Sequence, residues 1–572
     1  MSAQPLLLVA PFRPMDAGEE SPARPTASPN LMSRPRTVLI FLLVGLLLRV
    51  VPVLWGSTFL NEEQFSMHPD EPKIVRAIDA FPESLTTYHD YRYPHLLHNG
   101  IGALWWPVRE AMDLPEADQS LPGQPSYERA LIFSRFVVIL VFGLGLLLLL
   151  GKFARRLGHP EWAPWFVAAG SLQPLLVGNT ALVQTDVTGA TLLFLVFYVF
   201  LRIEKSLSIG PRHALLLGLV QGLSVVTRYV NLAACAGSIL MLVLAIRRGS
   251  MTWRQVPKVI GLWALAFAAA VIVFMPGILY DFEWFKKAIE YEFQSKIHLD
   301  TFSPATLLEQ AELGCPVWVL VPAFVGAVIV VLKTRSWAIA GALLSLFVYF
   351  ATTYRVLRAD YMMPLLPMAA AFVGALLGTL WGKGARIAVG GYVLLGLLAT
   401  GKAAVDRYRT DSLYRFNHWL HAEVEPQALG LAPTVRGPGL GVPMLPEGYR
   451  FVSVHDRPEW IVVPGRYVRQ IENLSLDPDH YSHLGVTLDP AKKALGKMVP
   501  RDFDFYDDIL TGRPTFKPFG GARKIERFQY ELHERFERPS RHLDMAPETL
   551  EVYRRVVRRG PGATDPPEPD ER

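Results

Sequence analysis

Cysteine and charge are both scarce in this chain. Only two of its 572 residues are cysteine, Cys235 and Cys315, and both lie in or beside apolar segments. Two such residues do not make a disulfide framework. Charged residues make up 19% of the chain, against 51% hydrophobic residues. This composition is too apolar for a soluble enzyme of this length and too charged for membrane spans alone.

Long apolar runs indicate what kind of protein this is. Residues 37–57 and 131–151 are each about as long as a helix needs to cross a bilayer. Their continuous hydrophobicity excludes the alternating pattern of a membrane barrel. We predict an all-α polytopic membrane protein with about 11 transmembrane helices. The predicted spans are 37–57, 131–151, 162–179, 187–201, 213–228, 230–246, 259–279, 316–332, 336–353, 361–381 and 386–402.

The basic residues are distributed as membrane topology requires. The formal net charge is +5, but its Lys and Arg residues cluster in every second connection between spans. That pattern places those connections in the cytoplasm, so nucleic acid is not an expected partner. Clusters of this kind contain Lys152, Arg155 and Arg156; Arg202, Lys205 and Arg212; Arg247, Arg248, Arg254 and Lys258; Lys333 and Arg335; and Lys383 and Arg386.

This topology divides the chain into four parts. Residues 1–36 are expected to be a disordered cytoplasmic tail, and residues 37–402 to be the transmembrane module. An odd number of spans puts the first loop, 58–130, and everything after 402 outside the cytoplasm. We predict a small extracytoplasmic α/β domain over 403–555, with a helix at 414–424 and strands in "RFVSV" and "EWIVVP", followed by a disordered tail, 556–572.

An acidic pair stands in the first outer loop, in the stretch "SMHPDEP". The residue before a proline is biased towards extended backbone, so we expect Pro72 to open a short amphipathic helix over "PKIVRAIDAF". Its apolar residues Ile74, Ile78 and Phe81 fall on one face, and Lys73, Arg76 and Asp79 on the other. Asp70 and Glu71 then sit at the helix N-terminus, where free N–H groups and the helix dipole favour negative charge. The simpler interpretation is a helix cap beside a solvated loop charge.

Two arginines inside predicted spans favour a functional interpretation of the pair. Arg49 lies in the outer half of the first span and Arg135 just inside the outer end of the second. Charges within a membrane are costly and normally face the bundle interior or a water-filled cavity. Snorkelling to the interface is the alternative for each. We predict that Arg49 and Arg135 support the pair from inside the bundle, with Glu71 as the arginine partner and Asp70 facing the cavity.

Several stretches together resemble the membrane-embedded GT-C glycosyltransferases. They are "HPDEPKIVRAI", "YPHLLHNGIGALWWP", "SRFVVILVFGLGLLLLLGKFARRLG" and "RADYMMPLLP", in this order within residues 37–402. The chain looks most similar to the branch of the dolichyl-phosphate-mannose–protein mannosyltransferases and the bacterial aminoarabinose transferases. The resemblance implies transfer of a sugar from a polyprenyl-phosphate donor to an acceptor hydroxyl on the outer face of the membrane. The late-loop pattern "RYxxP" of those enzymes occurs here with an insertion, as "RADYMMP", which contains Arg358 and Tyr361.

The expected reaction assigns roles to the residues. A carboxylate can accept the proton of the acceptor hydroxyl, which makes Asp70 the predicted general base, with Glu71 orienting the site. Cationic side chains can stabilise the leaving phosphate, and Arg binds phosphate bidentately. The predicted donor-phosphate site comprises Arg228, Arg358 and Tyr361, although an interfacial anchor is the alternative for either arginine.

Weaker candidates surround this set. Asp186, in "VQTDVTGA", is a second acidic ligand or a helix cap; His68, Tyr93 and His95 share the first loop with the acidic pair. No cofactor is predicted, because the spacing matches no closed set of metal ligands, although a His and two carboxylates can bind a divalent metal.

Expected partners are the polyprenyl-linked donor, membrane lipid, and a protein, glycolipid or glycan acceptor. A transporter or lipid flippase, or a non-catalytic scaffold, is the alternative; the absence of a visible repeat and the loop position of the acids disfavour a transporter.

Overall fold

The protein is described by a computed structural model. The described residues are 35–54, 71–88, 91, 95–114, 125–206, 209–296, 315–353, 359–380, 382–410, 412–425, 428–431, 450–453, 459–464, 529–536 and 550–556. Four predicted site residues lie outside them: His68, Asp70, Tyr93 and Arg358. The predicted terminal tails lie outside them almost entirely.

Helices make up most of the described chain. Their bounds are α1 Pro35–Val50, α2 Glu71–Asp79, α3 Ser84–Thr87, α4 Leu96–Ala111, α5 Pro125–Val137, α6 Gly145–Arg156, α7 Ala163–Ser171, α8 Pro174–Thr180, α9 Thr185–Ser206, α10 Pro211–Val225, α11 Ala234–Arg247, α12 Val256–Phe274, α13 Phe282–Lys296, α14 Val317–Thr334, α15 Trp337–Thr353, α16 Leu366–Thr379, α17 Gly382–Thr410 and α18 Ser412–Glu423. A π-helical segment, Val138–Leu144, joins α5 to α6, and 3₁₀ turns at Tyr229–Ala233 and Ala359–Leu365 precede α11 and α16.

Seven helical segments in the described part are long and apolar enough to cross a membrane, which supports an integral membrane protein. They are Arg36–Leu54, Ser126–Arg156, Thr185–Ser206, Tyr229–Arg247, Trp253–Phe274, Val317–Thr334 and Tyr361–Thr379. The predicted span 162–179 is divided between α7 and α8, and the span predicted at 213–228 is the 15-residue α10. A helix of that length rises about 22 Å, less than the hydrocarbon thickness. The count of about 11 spans therefore stays a prediction.

Two of these segments are enclosed by the rest of the protein. The apolar windows of Thr185–Ser206 and Tyr361–Thr379 are 83% and 78% buried, whereas that of Trp253–Phe274 is 6% buried. The more enclosed segments begin beside Asp186 and at Tyr361. Both residues are themselves buried in the protein, with Asp186 6% and Tyr361 5% exposed.

Five short strands follow α18 in the chain. They are β1 Ala428–Leu431, β2 Arg450–Ser453, β3 Trp460–Pro464, β4 Gln529–Phe536 and β5 Leu550–Val556. Their order in the sheet is β2-β1-β3-β5-β4, with β1 parallel to β2 and β3, and β5 antiparallel to β3 and β4. The Trp419 ring of α18 contacts Trp460 at 5.4 Å. The predicted helix and both predicted strands occur, while an α/β domain over 403–555 outside the membrane stays a prediction.

Candidate functional site

Glu71, the first residue of α2, is held in a buried ion pair. Both nitrogens on one edge of the Arg135 guanidinium donate to its carboxylate: Nε to Oε1 at 3.0 Å and Nη2 to Oε2 at 2.8 Å. The Val183 amide also donates to Oε1 at 3.0 Å, and Arg135 Nη1 donates to the Val53 carbonyl at 2.9 Å. Both side chains are inaccessible to solvent. The predicted contact between Glu71 and Arg135 is confirmed, and the helix begins one residue earlier than predicted.

Arg49 does not take part in this pair, so the prediction for it was wrong. Its Nη1 donates to the carbonyl of Gly45 at 2.9 Å and its Nη2 to that of Gly170 at 3.0 Å. The reason lies four residues beyond Gly170, where Pro174 has no N–H to donate back along the helix. Arg49 supplies the missing donor at the break between α7 and α8. It holds the first span against this break and does not support the acidic site.

Asp79 is a buried acid that the amphipathic pattern had placed on the polar face of α2. Its carboxylate accepts from Trp105 Nε1 at 2.8 Å and from Ser126 Oγ at 2.7 Å, while its backbone carbonyl accepts from Arg109 Nη1 at 2.5 Å. These bonds join α2 to α4 and α5. The other face of α2 buries Ile74 and Ile78. The helix is therefore fixed along its length against protein, which holds Glu71 in place.

Three other candidates from distant parts of the chain meet in a second group. The Asp186 carboxylate, in the first turn of α9, forms an ion pair with Arg228. The Arg228 guanidinium lies over the ring of Tyr361, 4.6 Å from its centroid, within cation–π range. The Asp186 and Arg228 side chains are only 8% and 12% exposed. A carboxylate and an aromatic ring thus hold one guanidinium from two sides.

One short segment connects the two groups. Val183 donates its amide to Glu71, and Asp186, three residues further on, binds Arg228. This segment lies between α8 and the first turn of α9, both of which are inside the bundle. Residues 183–186 therefore fix both Glu71, from the first loop, and Arg228, from the connection between α10 and α11.

His95 lies in a buried aromatic cluster. Its ring stacks on Tyr91 at 4.9 Å and contacts the His98 ring at 4.4 Å. The cluster is tied to the segment that carries Arg228, because Tyr229 donates its hydroxyl to the Tyr91 carbonyl at 2.6 Å. Burial and the nearby Asp281 raise the pKa of Tyr91 to about 12, so its hydroxyl remains protonated. Among the described residues, no group of three or more His, Cys, Asp or Glu is placed to hold a metal ion.

The histidine cluster should make stability depend on pH. Burial, with a further contribution from His95, lowers the pKa of His98 well below its usual 6.5. The unfolded chain takes up a proton at His98 near pH 6.5, whereas the folded chain stays neutral there. The free energy of unfolding should therefore fall as pH decreases below about 6.5, by about 1.4 kcal/mol per pH unit until the folded pKa is reached.

The measurement is thermal unfolding of purified protein at several pH values between about 7 and 5, for wild type and for His98→Gln. The wild-type midpoint should fall more steeply than that of the variant, because the variant has no proton to take up at this position. Equal slopes for the two proteins would show that His98 does not govern the dependence.

Comparisons with known proteins found no matching family model and no matching curated protein. Among solved structures, the chain is similar to the oligosaccharyltransferase of Archaeoglobus fulgidus in its apo form, with a TM-score of 0.44 and 11% identity over 68% of this chain and 58% of that chain. The complex of the archaeal enzyme with an inhibitory peptide and a dolichol-phosphate matches with a TM-score of 0.39 and 12% identity, over 68% and 58%. The chain thus covers less than two thirds of that protein.

Proposed function

We propose that this chain is a membrane glycosyltransferase of GT-C type, which moves a hexose or pentose from a polyprenyl-phosphate donor to an acceptor hydroxyl on the outer face of the membrane. The proposal rests on one observation: residues 183–186 bind both Glu71, the acid next to Asp70, and the buried Arg228. A carboxylate for the acceptor and a cation for the leaving phosphate are the two groups that this transfer needs.

In the proposed reaction, Asp70 accepts the proton of the acceptor hydroxyl as its oxygen attacks the anomeric carbon. A new bond forms between that oxygen and the sugar, and the bond from the anomeric carbon to the phosphate oxygen breaks. The polyprenyl phosphate leaves with the electron pair. Asp70 directly precedes Glu71, whose carboxylate is fixed by Arg135 and Val183. Glu71 is thereby the positioning residue for the base, and its neutralised charge leaves Asp70 to face the acceptor.

Arg228 is the proposed ligand of the donor phosphate. Its guanidinium is held between Asp186 and the Tyr361 ring before any donor binds. A side chain held in this way loses little conformational freedom on binding, which favours affinity. In a site shielded from water, a guanidinium also stabilises the charge that develops on the leaving phosphate. We propose the same role for Arg358, and a carboxylate role near the acceptor for Asp186.

The proposal predicts the effect of Arg228→Lys. Lysine keeps the charge but lacks the planar fork that binds phosphate bidentately and stacks on Tyr361. The KM for a polyprenyl-phosphate sugar should rise roughly tenfold, and more if Asp186 loses its partner as well. The measurement is sugar transfer by purified protein in lipid nanodiscs, with donor concentration varied at a saturating level of acceptor.

The chain contains a matched control for this change. Arg248 also lies over an aromatic ring, with its guanidinium 5.4 Å from the centroid of Trp337, at the end of α11. Arg248→Lys makes the same change at the opposite end of α11 from Arg228 and should leave the KM for the donor near the wild-type value. A donor KM that is equal in wild type and Arg228→Lys would remove Arg228 from the phosphate site.

The sugar and the acceptor can be found in cells. Cells that lack this chain should lose one class of glycan or glycolipid, which mass spectrometry of envelope fractions would identify. Restoring the chain should bring that class back, whereas restoring Asp70→Asn protein should not. Unchanged glycans and glycolipids in cells that lack the chain would contradict the proposal.

A further inference from the structure

Asn231 joins the two segments that carry the proposed phosphate site. It lies in the 3₁₀ turn after Arg228, and its side chain is buried, with 1% of the residue exposed. The amide nitrogen Nδ2 donates to the carbonyl of Gly189 at 3.2 Å, in α9. It also approaches the Ser224 carbonyl at 3.3 Å and the Ser224 hydroxyl at 3.0 Å, at the end of α10. One side chain thus links α9, which carries Asp186, to the segment that carries Arg228.

The backbone continues this link to Arg228 itself. The Asn231 amide donates to the Arg228 carbonyl at 3.0 Å, and the Arg228 amide donates to the Ser224 carbonyl at 3.0 Å. Arg228 has extended backbone, with φ −157° and ψ 113°, between the end of α10 and the turn. Its amide makes an i→i−4 bond at the end of α10 and its carbonyl accepts the first bond of the turn, so Arg228 is the residue at which the two helical segments join. The position of the guanidinium therefore depends on how this turn is attached to α9.

Gly189, the residue of α9 that faces this turn, is packed closely against it. A Cβ atom added at Gly189 would lie 3.2 Å from Asn231 Nδ2 and 3.3 Å from Arg228 Cβ. Contacts this short require the neighbouring atoms to move by a few tenths of an ångström. Glycine at 189 therefore allows the turn to approach α9 closely enough for Asp186 to reach Arg228.

We infer that Asn231 is a positioning residue for the donor-phosphate site, acting through Arg228 with Gly189 as its counterpart. This inference rests on the proposed function for the identity of the ligand, a polyprenyl phosphate ester. Asn231 makes no contact with the donor in this role; it holds Arg228 against Asp186. Loss of its hydrogen bonds should therefore weaken donor binding and, because Arg228 also stabilises the leaving phosphate, slow the chemical step as well.

The first test is a structure of the Asn231→Ala protein by electron cryomicroscopy in nanodiscs. We expect the Arg228 guanidinium to leave Asp186 and the face of the Tyr361 ring. Arg228 in its wild-type position would overturn the inference. This readout needs no ligand and no activity, so it decides the role of Asn231 even if the wild-type protein transfers no sugar, the result that would defeat the proposed function alone.

The second test is a double-mutant cycle in donor KM. Asn231→Ala should raise the KM roughly tenfold and should also lower kcat, because the displaced Arg228 no longer stabilises the leaving phosphate. If Asn231 acts through Arg228, the double variant Asn231→Ala, Arg228→Ala should be no worse than Arg228→Ala alone, since residues in one network are not additive. Additive effects on KM would overturn the inference.

Two further variants separate positioning from general stability. Gly189→Ala adds a methyl group against the same turn from the α9 side, so it should raise the donor KM in the same way. This variant keeps the test available if Asn231→Ala folds poorly. Asn99→Ala is the matched control, because Asn99 Nδ2 also joins two helices through a carbonyl, that of Phe274, at 2.8 Å. It should lower thermal stability without changing the donor KM. A rise in KM for Asn99→Ala as large as that for Asn231→Ala would show that neither effect is specific to Arg228.

Discussion

Asp70→Asn should lower the rate of sugar transfer by about 10²–10⁴-fold while leaving donor binding and thermal stability near wild type. Asparagine has nearly the same shape as aspartate but cannot accept the proton of the acceptor hydroxyl. The measurement is transfer by purified Asp70→Asn protein, with binding of the donor and thermal unfolding recorded on the same samples.

The same substitution at another position in the same loop provides the control. Asp113 is exposed and has φ of 50°, a backbone conformation that asparagine adopts readily. Asp113→Asn should leave rate, binding and stability unchanged. Near-normal turnover of Asp70→Asn would place the base elsewhere, with Asp186 the next candidate.

The buried pair of Glu71 and Arg135 should have the largest effect on stability. Glu71→Gln leaves the Arg135 charge buried without a counter-charge, and Arg135→Met does the same to Glu71. Breaking a fully buried pair from one side typically costs about 3–5 kcal/mol. The double variant Glu71→Gln, Arg135→Met removes both charges, so it should recover most of the lost stability. Thermal unfolding of the four proteins in the same detergent measures the coupling.

The double variant also separates stability from function. The glutamine side chain that replaces Glu71 can still accept from the Val183 amide, but the bidentate contact that fixes the start of α2 is gone. We therefore expect transfer to stay at least tenfold below wild type although the protein is stable again. Stability losses that simply add would mean that the two charges do not interact. Full activity in the double variant would show that Glu71 does not position Asp70.

Local patterns were sufficient to predict the elements around the acidic pair. Proline after Glu71 and the apolar spacing of Ile74 and Ile78 predicted a helix there, and α2 occupies it. An arginine in the outer end of a span has few partners other than the acids of the adjoining loop, which is why the contact of Arg135 with Glu71 could be predicted. The apolar runs likewise predicted a helical membrane protein, and seven helical segments long enough to span are present in the described part.

Contacts between distant segments could not be predicted in this way. Arg49 binds the carbonyl of Gly170 because Pro174 leaves that carbonyl without its helical donor, and nothing near Arg49 in the chain indicates this. Asp79 lies on the charged face of a short helix, yet Trp105 and Ser126 bury it. Such pairings depend on how α4, α5 and α7 pack around their neighbours, so the periodicity of a single helix does not contain them.

Around Arg228, individual residues were predicted from the sequence but their contacts were not. Arg228 and Asp186 were predicted separately, from residue type and position in the connections between spans, and Tyr361 from the late-loop pattern of the resembling family. Their meeting is a property of the packed bundle. Asn231 was not predicted at all, because a buried asparagine has no distinguishing pattern in sequence. The close contact of Gly189 with Arg228 could not be foreseen for the same reason.

Transfer by purified wild-type protein in proteoliposomes decides between a glycosyltransferase and a transporter or flippase. A polyprenyl-phosphate donor with a radiolabelled sugar is supplied to the face that carries the first loop, together with envelope extract as a source of acceptors. We expect the label to appear on an acceptor, with one polyprenyl phosphate released for each sugar transferred, and with both products lost in Asp70→Asn protein. Movement of the intact labelled donor to the opposite leaflet, with no release of polyprenyl phosphate, would contradict this function.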